Sequence, residues 1–130
     1  MEVTLGQLAA QKASDPEVRK FGERMVQDHQ KANMELAGLV SKKGATLPEP
    51  SAKKEEKTVE HLSSLSGADF DRAYVKAMLS DHKKDVKEFQ KQSEKAEDAD
   101  LRTWVAKTLP TLQEHLTLVQ GLEAKVVASR

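Results

Sequence analysis

Met25-Val26-Gln27-Asp28-His29-Gln30-Lys31 returns later in the chain as Met78-Leu79-Ser80-Asp81-His82-Lys83-Lys84, and in the same register Glu35-Leu36 returns as Glu88-Phe89. In each copy the methionine stands four residues before the histidine, one helical turn away on the same face. A duplicated helical hairpin, with the histidine at the same station in each half, is the simplest account of the echo. A further dyad, Glu114-His115, lies near the C-terminus, so Asp28-His29, Asp81-His82 and Glu114-His115 together use three of the four histidines. If these segments are helices of one bundle, three imidazoles can converge on its interior.

The apolar spacing around each dyad supports helices. Val18, Phe21, Met25, Ala32, Leu36 and Leu39 follow the three-and-four rhythm of a buried stripe, and His29 fills the gap between Met25 and Ala32. Tyr74, Val75, Met78, Val86 and Phe89 make a second stripe with His82 on its axis and Asp85 close to it. Leu101, Val105, Leu112, Val119, Leu122 and Val126 make a third, with His115 on its flank beside Leu116. Each dyad's carboxylate is one residue earlier, about 100° around the helix. Asp28 and Asp81 therefore fall at the edges of their stripes, and Glu114 faces solvent.

Punctuation divides the chain into five helical stretches. Val3 to Ala13 is the first, and Ser14-Asp15-Pro16 ends it; Asp15 caps the next helix and Pro16 takes its tolerated first position. The second runs to about Lys43, where Gly44 stops it, and Leu47-Pro48-Glu49-Pro50 is a stiff connector. Ser51 to Ser66 reads as a polar third helix. Gly67 then breaks the chain, and Asp69 is expected to cap a fourth helix from Phe70 to about Ala96. Asp98 or Asp100 caps the fifth, which reaches about Val127 and is expected to kink at Pro110. Strand and hairpin signals are missing, so the expected class is all-α.

Composition removes several functions. At 130 residues the chain is expected to be one domain, long enough to bury a core without staples. Lysine plus arginine equal aspartate plus glutamate at 21 each, which leaves no net field to draw the chain to nucleic acid. Cysteine is absent, which excludes disulfides, thiolate metal sites and a cysteine nucleophile. No segment approaches the roughly 18 apolar residues of a spanning helix, so no membrane insertion is expected. Nor does Met1-Glu2-Val3 open a secretory signal, which fits a cytosolic protein or a mature fragment.

Buried imidazoles cost desolvation free energy unless each finds a partner. For a single histidine a carboxylate or backbone carbonyl suffices, but inward-facing histidines on three helices are how bundles build metal sites. His29, His82 and His115 are the first-choice ligands of such a site. Asp28, Asp81, Asp85 and Glu2 would supply an oxygen ligand or orient the imidazoles. The di-iron pattern Glu-x-x-His is broken in every copy, since Val26, Leu79 and Leu112 precede the histidines by three. Met25 and Met78 share a face with their histidines and could add thioethers, a copper-friendly combination; otherwise they are core filler. Imidazoles with a carboxylate suit zinc or iron as well as copper. His61 lies off the apolar face of the third helix and reads as a surface residue, and Trp104 reads as an interhelical anchor. No nucleophile pattern or phosphate loop supports catalysis.

The runs Leu5-Gly6-Gln7-Leu8-Ala9, Met25 through Asn33, Lys43-Gly44, Asp81-His82 and Lys107-Thr108-Leu109-Pro110-Thr111-Leu112-Gln113-Glu114-His115 resemble bacterial envelope proteins grouped as domain of unknown function 4142. The resemblance covers nearly the whole chain, and its last run is the most specific. It implies a ferritin-like antiparallel bundle of four core helices plus a short one, exported behind a signal peptide, and often carrying an outer-membrane label that an all-helical bundle cannot fit as a barrel. Members typically carry more of the first helix upstream of Glu2-Val3, which implies a trimmed mature domain in the periplasm or cell envelope. It implies no activity.

Two functions from different classes follow. One is a periplasmic bundle that sequesters or buffers a transition metal through the three histidines, without turnover, its affinity collapsing as imidazoles protonate below about 6.5. The other is a structural or stress-related envelope module with polar core histidines, acting through a homo-oligomer contact or an envelope protein partner. Lys53-Lys54-Glu55-Glu56-Lys57 and the Leu47 to Pro50 connector are its candidate contact regions.

Overall fold

The computed structural model describes residues 2–42 and 52–126, and among them every regular element is a helix. The order is α1 (Glu2–Lys12), α2 (Pro16–Lys42), α3 (Ala52–Ser63), α4 (Gly67–Lys95) and α5 (Ala99–Val126). The expected Gly44 stop and the Leu47 to Pro50 connector lie outside the described residues. The third helix ends earlier than expected, at Ser63. The fourth begins earlier, with Ser66 at its N-cap position and Gly67, at φ 58°, turning the chain into it. Glycine adopts that left-handed conformation without a Cβ clash. Asp69 consequently sits inside the first turn, where it pairs with Arg72 rather than capping. α5 is one helix through Pro110.

Neighbouring helices run antiparallel around a ring. α1 packs on α2, α2 on α5, α5 on α4 and α4 back on α1, while the short α3 rests against α1 and α4. Charges mark the α2–α5 seam along its length: Lys125 reaches Asp15 and Glu17 at 3.3 Å, Arg24 reaches Glu114 at 2.8 Å, and Lys107 reaches Glu35 at 3.6 Å. The C-terminal end of α5 thus lies at the N-terminal end of α2. α2 and α4 run parallel across the ring, which puts the two echoed histidine segments at one level.

The two tight hairpin turns use the same chemistry. Asp15 Oδ1 accepts from the Glu17 amide at 2.8 Å, and Asp98 Oδ1 accepts from the Asp100 and Leu101 amides at 2.9 and 3.0 Å. Four residues after each aspartate an arginine folds back on the preceding helix. Arg19 donates to the Ala13 carbonyl at 2.9 Å and Arg102 to the Ala96 carbonyl at 3.0 Å. Each turn therefore satisfies amides at the start of one helix and a carbonyl at the end of the other.

Asp71 ties the first turn to α4. It is only 2 % exposed and accepts from the Ser14 amide at 3.0 Å, the Ser14 hydroxyl at 2.8 Å and the Asp15 amide at 2.9 Å. Above it the core is built from Leu5, Phe21, Met25, Phe70, Tyr74 and Met78. The Phe70 and Tyr74 rings stack at 5.9 Å, and Phe21 meets Tyr74 edge-on at 6.3 Å. α1 reaches this core because two glycines let its backbone touch α2. A Cβ on Gly6 would stand 2.7 Å from the Gly22 carbonyl oxygen, and one on Gly22 would stand 2.8 Å from the Gly6 carbonyl oxygen.

Three stability outcomes are expected. Asp71→Ala leaves the Ser14 and Asp15 donors without their acceptor and lowers the unfolding free energy by about 2–4 kcal/mol, read from urea denaturation at unchanged m-value. Gly6→Ala forces α1 off α2 and costs about 1–3 kcal/mol. Gly38→Ala on the exposed face of α2, where an added Cβ meets nothing within 4 Å, raises stability by about 0.4–1 kcal/mol. Thermal melts of the two glycine variants should move in opposite directions.

Candidate metal centre

Three helices deliver one imidazole each to a common point. α2 carries His29, α4 carries His82 and α5 carries His115, and their ring centroids lie 5.8, 5.4 and 5.4 Å apart. One ring nitrogen from each lies within 4.8 Å of those of the other two. His82 and His115 have no exposed surface at all. His115, expected on the flank of its stripe, is therefore a full core residue. Phe21 forms the floor, 6.3 Å from both the His82 and His115 rings.

Hydrogen bonds decide which nitrogens face the common point. His82 Nδ1 donates to the Met78 carbonyl one turn earlier, at 2.8 Å, which leaves its Nε2 as a lone pair. His115 Nε2 lies 2.6 Å from Asp28 Oδ2, so its Nδ1 carries the lone pair. The ring nitrogens buried without a hydrogen-bond partner among the described residues are His29 Nε2, His82 Nε2 and His115 Nδ1, one from each ring. A single cation can satisfy all three rings at once where each presents a lone pair.

Asp28 does not join the cluster as a fourth ligand. It stands behind His115 and is itself held by Arg24 Nε at 3.2 Å, while Arg24 continues to Glu114. Burial alone would raise the Asp28 carboxyl, but the hydrogen bonds from His115 and Arg24 outweigh it and hold the group below its usual range. A carboxylate behind an imidazole fixes its tautomer and strengthens it as a donor.

Burial pushes the His29 imidazole down to about 4, reinforced by the neighbouring His115 and His82 rings and opposed by Glu2. The same desolvation lowers His82, opposed by its bond to Met78. Both favour the neutral, ligating form. Glu2 and Asp85 line a cavity of about 260 Å³ that opens onto His29 and His115, with Phe89 and Trp104 on its wall. Burial, with Glu2 and Asp81 adding to it, pushes the Asp85 carboxyl up to about 7.

The remaining expected residues are placed as follows. Met25 and Met78 are wholly buried among the core side chains. Asp81 is half-buried on α4 beside the cluster, outside the cavity lining. His61 is exposed, as expected, and the Trp104 ring packs 5.7 Å from Phe89 across α4 and α5. Arg24 was not foreseen, although its place four residues before Asp28 on one helix face signals the pair.

No curated protein and no solved structure matches the chain. The family described as domain of unknown function DUF4142 matches residues 1–122, and the chain belongs to that family.

Proposed function

We propose that this protein is a ferritin-like helical bundle of the bacterial periplasm or cell envelope that binds one transition-metal ion through His29, His82 and His115, for sequestration or buffering. The observation that carries the reading is that His29, His82 and His115, from three helices, bring one ring nitrogen each within 4.8 Å of the others, and that each ring has a buried nitrogen without a partner among the described residues. A tetrahedral ion with metal–nitrogen bonds of 2.0–2.1 Å sets its ligands about 3.4 Å apart. The rings need close by no more than about 1.4 Å to meet it, a shift within reach of small side-chain rotations. The envelope location rests on the family resemblance.

Three imidazole ligands favour borderline ions, copper, zinc and ferrous iron, over the oxygen-seeking magnesium and calcium. The residues one turn before the histidines, Val26, Leu79 and Leu112, supply no bridging carboxylate, which favours a mononuclear centre over a di-iron oxidase. The competing reading is a structural envelope module acting through protein partners, in which the histidines are core residues only.

Stripped protein should take up zinc or copper at one ion per chain in equilibrium dialysis. His29→Ala and His82→Ala should each lose at least about 100-fold in affinity. If the double variant binds as tightly as the parent, the structural module is the correct reading. Asp28→Asn should keep the ligands and weaken binding by about 10–100-fold.

The buried imidazoles also set the pH dependence. Because His29 is neutral in the folded chain down to about 4, protons compete for this ligand at lower pH than for a free imidazole at about 6.5. Zinc affinity should therefore persist below pH 6.5. Stability of the fold nevertheless falls on acidification, with or without metal. The unfolded state binds the His29 proton first, so this contribution to stability is intact above pH 6.5 and is lost as pH falls towards 4, by roughly 3 kcal/mol. Denaturation of the stripped and the zinc-loaded protein at pH 7 and pH 5 should show both losing stability together, with the gap between them, set by zinc binding to the folded state, nearly unchanged.

A further inference from the structure

The three histidines come from α2, α4 and α5, the arc of the ring away from α1. An ion among them has its remaining side turned towards the cavity that His29 and His115 line. Glu2 and Asp85 stand on that wall, but only the three imidazoles bring ligand atoms within 4.8 Å of one another among the described residues. Sites that hold an ion by four protein ligands are closed, whereas three ligands leave a position for a molecule from solution.

The cavity wall selects what that molecule is. Its ionisable lining outside the histidines is Glu2, Asp28, Glu35 and Asp85 against Lys31 and Lys107, four acids to two bases. With Asp28 held by Arg24 and Glu35 by Lys107, the balance of the wall rests on Glu2 and Asp85 against Lys31. Such a wall concentrates cations and repels anions. Phe89, Trp104, Leu36 and Leu112 supply apolar surface, and Trp104 Nε1 is buried without a partner among the described residues. A buried donor of this kind is satisfied by a polar occupant.

We infer that the ion bound by His29, His82 and His115 keeps one exchangeable coordination position, that this position faces the acidic cavity, and that it takes small neutral Lewis bases in preference to anions. Water fills it at rest, and a small amine or imidazole displaces that water with no change of oxidation state. The cavity is also the route by which the cation reaches the histidines from solvent. This inference rests on the metal-binding reading and makes the centre one that presents its ion to a small molecule rather than enclosing it.

Cobalt(II) is the probe, because its visible spectrum reports coordination. Protein loaded with one cobalt ion, with His82→Ala as the control that loses it, is titrated with imidazole and with azide while dialysis confirms that the metal stays bound. Imidazole should shift the spectrum saturably at concentrations at least tenfold below those azide requires. Glu2→Gln should tighten azide about fivefold, the effect of removing one nearby charge, and leave imidazole within twofold. A cobalt spectrum that neither ligand moves overturns the open position while leaving the metal-binding reading intact. If Glu2→Gln then restores the response, Glu2 itself is the fourth ligand. Azide binding as tightly as imidazole, or unaffected by Glu2→Gln, overturns the selection by charge. Failure of the parent to bind cobalt, zinc or copper removes the metal-binding reading and the inference with it.

Discussion

An imidazole placed in a core without water must direct its N–H to an acceptor, and its other nitrogen then points wherever the ring geometry sends it. In this bundle that constraint is met at two of three clustered rings. His82 donates its Nδ1–H to the carbonyl of its own helix at Met78, and His115 donates its Nε2–H to Asp28 across the α2–α5 seam. Each ring keeps its other nitrogen buried without a partner among the described residues, as is His29 Nε2. The desolvation that makes these groups expensive to bury also keeps His29 and His82 neutral. Cost and ligating capacity have one physical origin.

Much of the surrounding structure acts to hold those rings at a common height. The seam between α2 and α5 is pinned near both ends and in the middle by ion pairs, the middle one being Arg24 with Glu114. Exposed pairs of this kind contribute little stability individually, but Arg24 also holds Asp28, so the pair lies directly behind a histidine. On the other side Asp71 binds the first hairpin turn to α4 and sets the relative height of α2 and α4. The backbone contact at Gly6 and Gly22 brings α1 close enough for Leu5 and Ala9 to complete the core below the histidines. Displacing any of these contacts would change the spacing of the ligands.

Helix positions were legible because they depend on local chemistry. Asp15-Pro16 and Asp98 cap where their side chains predict, and the stripes through Phe21, Tyr74 and Leu112 are buried except towards their ends, where Ala32, Leu36, Leu39, Phe89, Leu101 and Val126 are half-buried. The start of α4 falls before the expected Asp69 cap because the chain turns at Gly67, whose positive φ puts Ser66 at the N-cap position without a side-chain capping hydrogen bond. The inward direction of His29 and His82 followed from their stripes. His115 was placed too far towards the surface, because a stripe fixes a face only to within the angle between adjacent positions, and packing of Phe21 against its ring decided the rest.

By itself the sequence determined an all-helical chain with the boundaries of most helices, the two echoed histidine stations and the family, since capping, periodicity and repeated motifs are properties of neighbouring residues. Only the tertiary structure decided that residues as distant as Asp28 and His115 share a hydrogen bond, that one nitrogen of each histidine is left facing the other two, and that the carboxylates divide between a support behind His115 and a cavity wall. Those outcomes depend on the height and rotation of one helix against another. They are set by long-range contacts, the glycine crossing, the Asp71 tie and the charged seam, whose pairing no local pattern encodes.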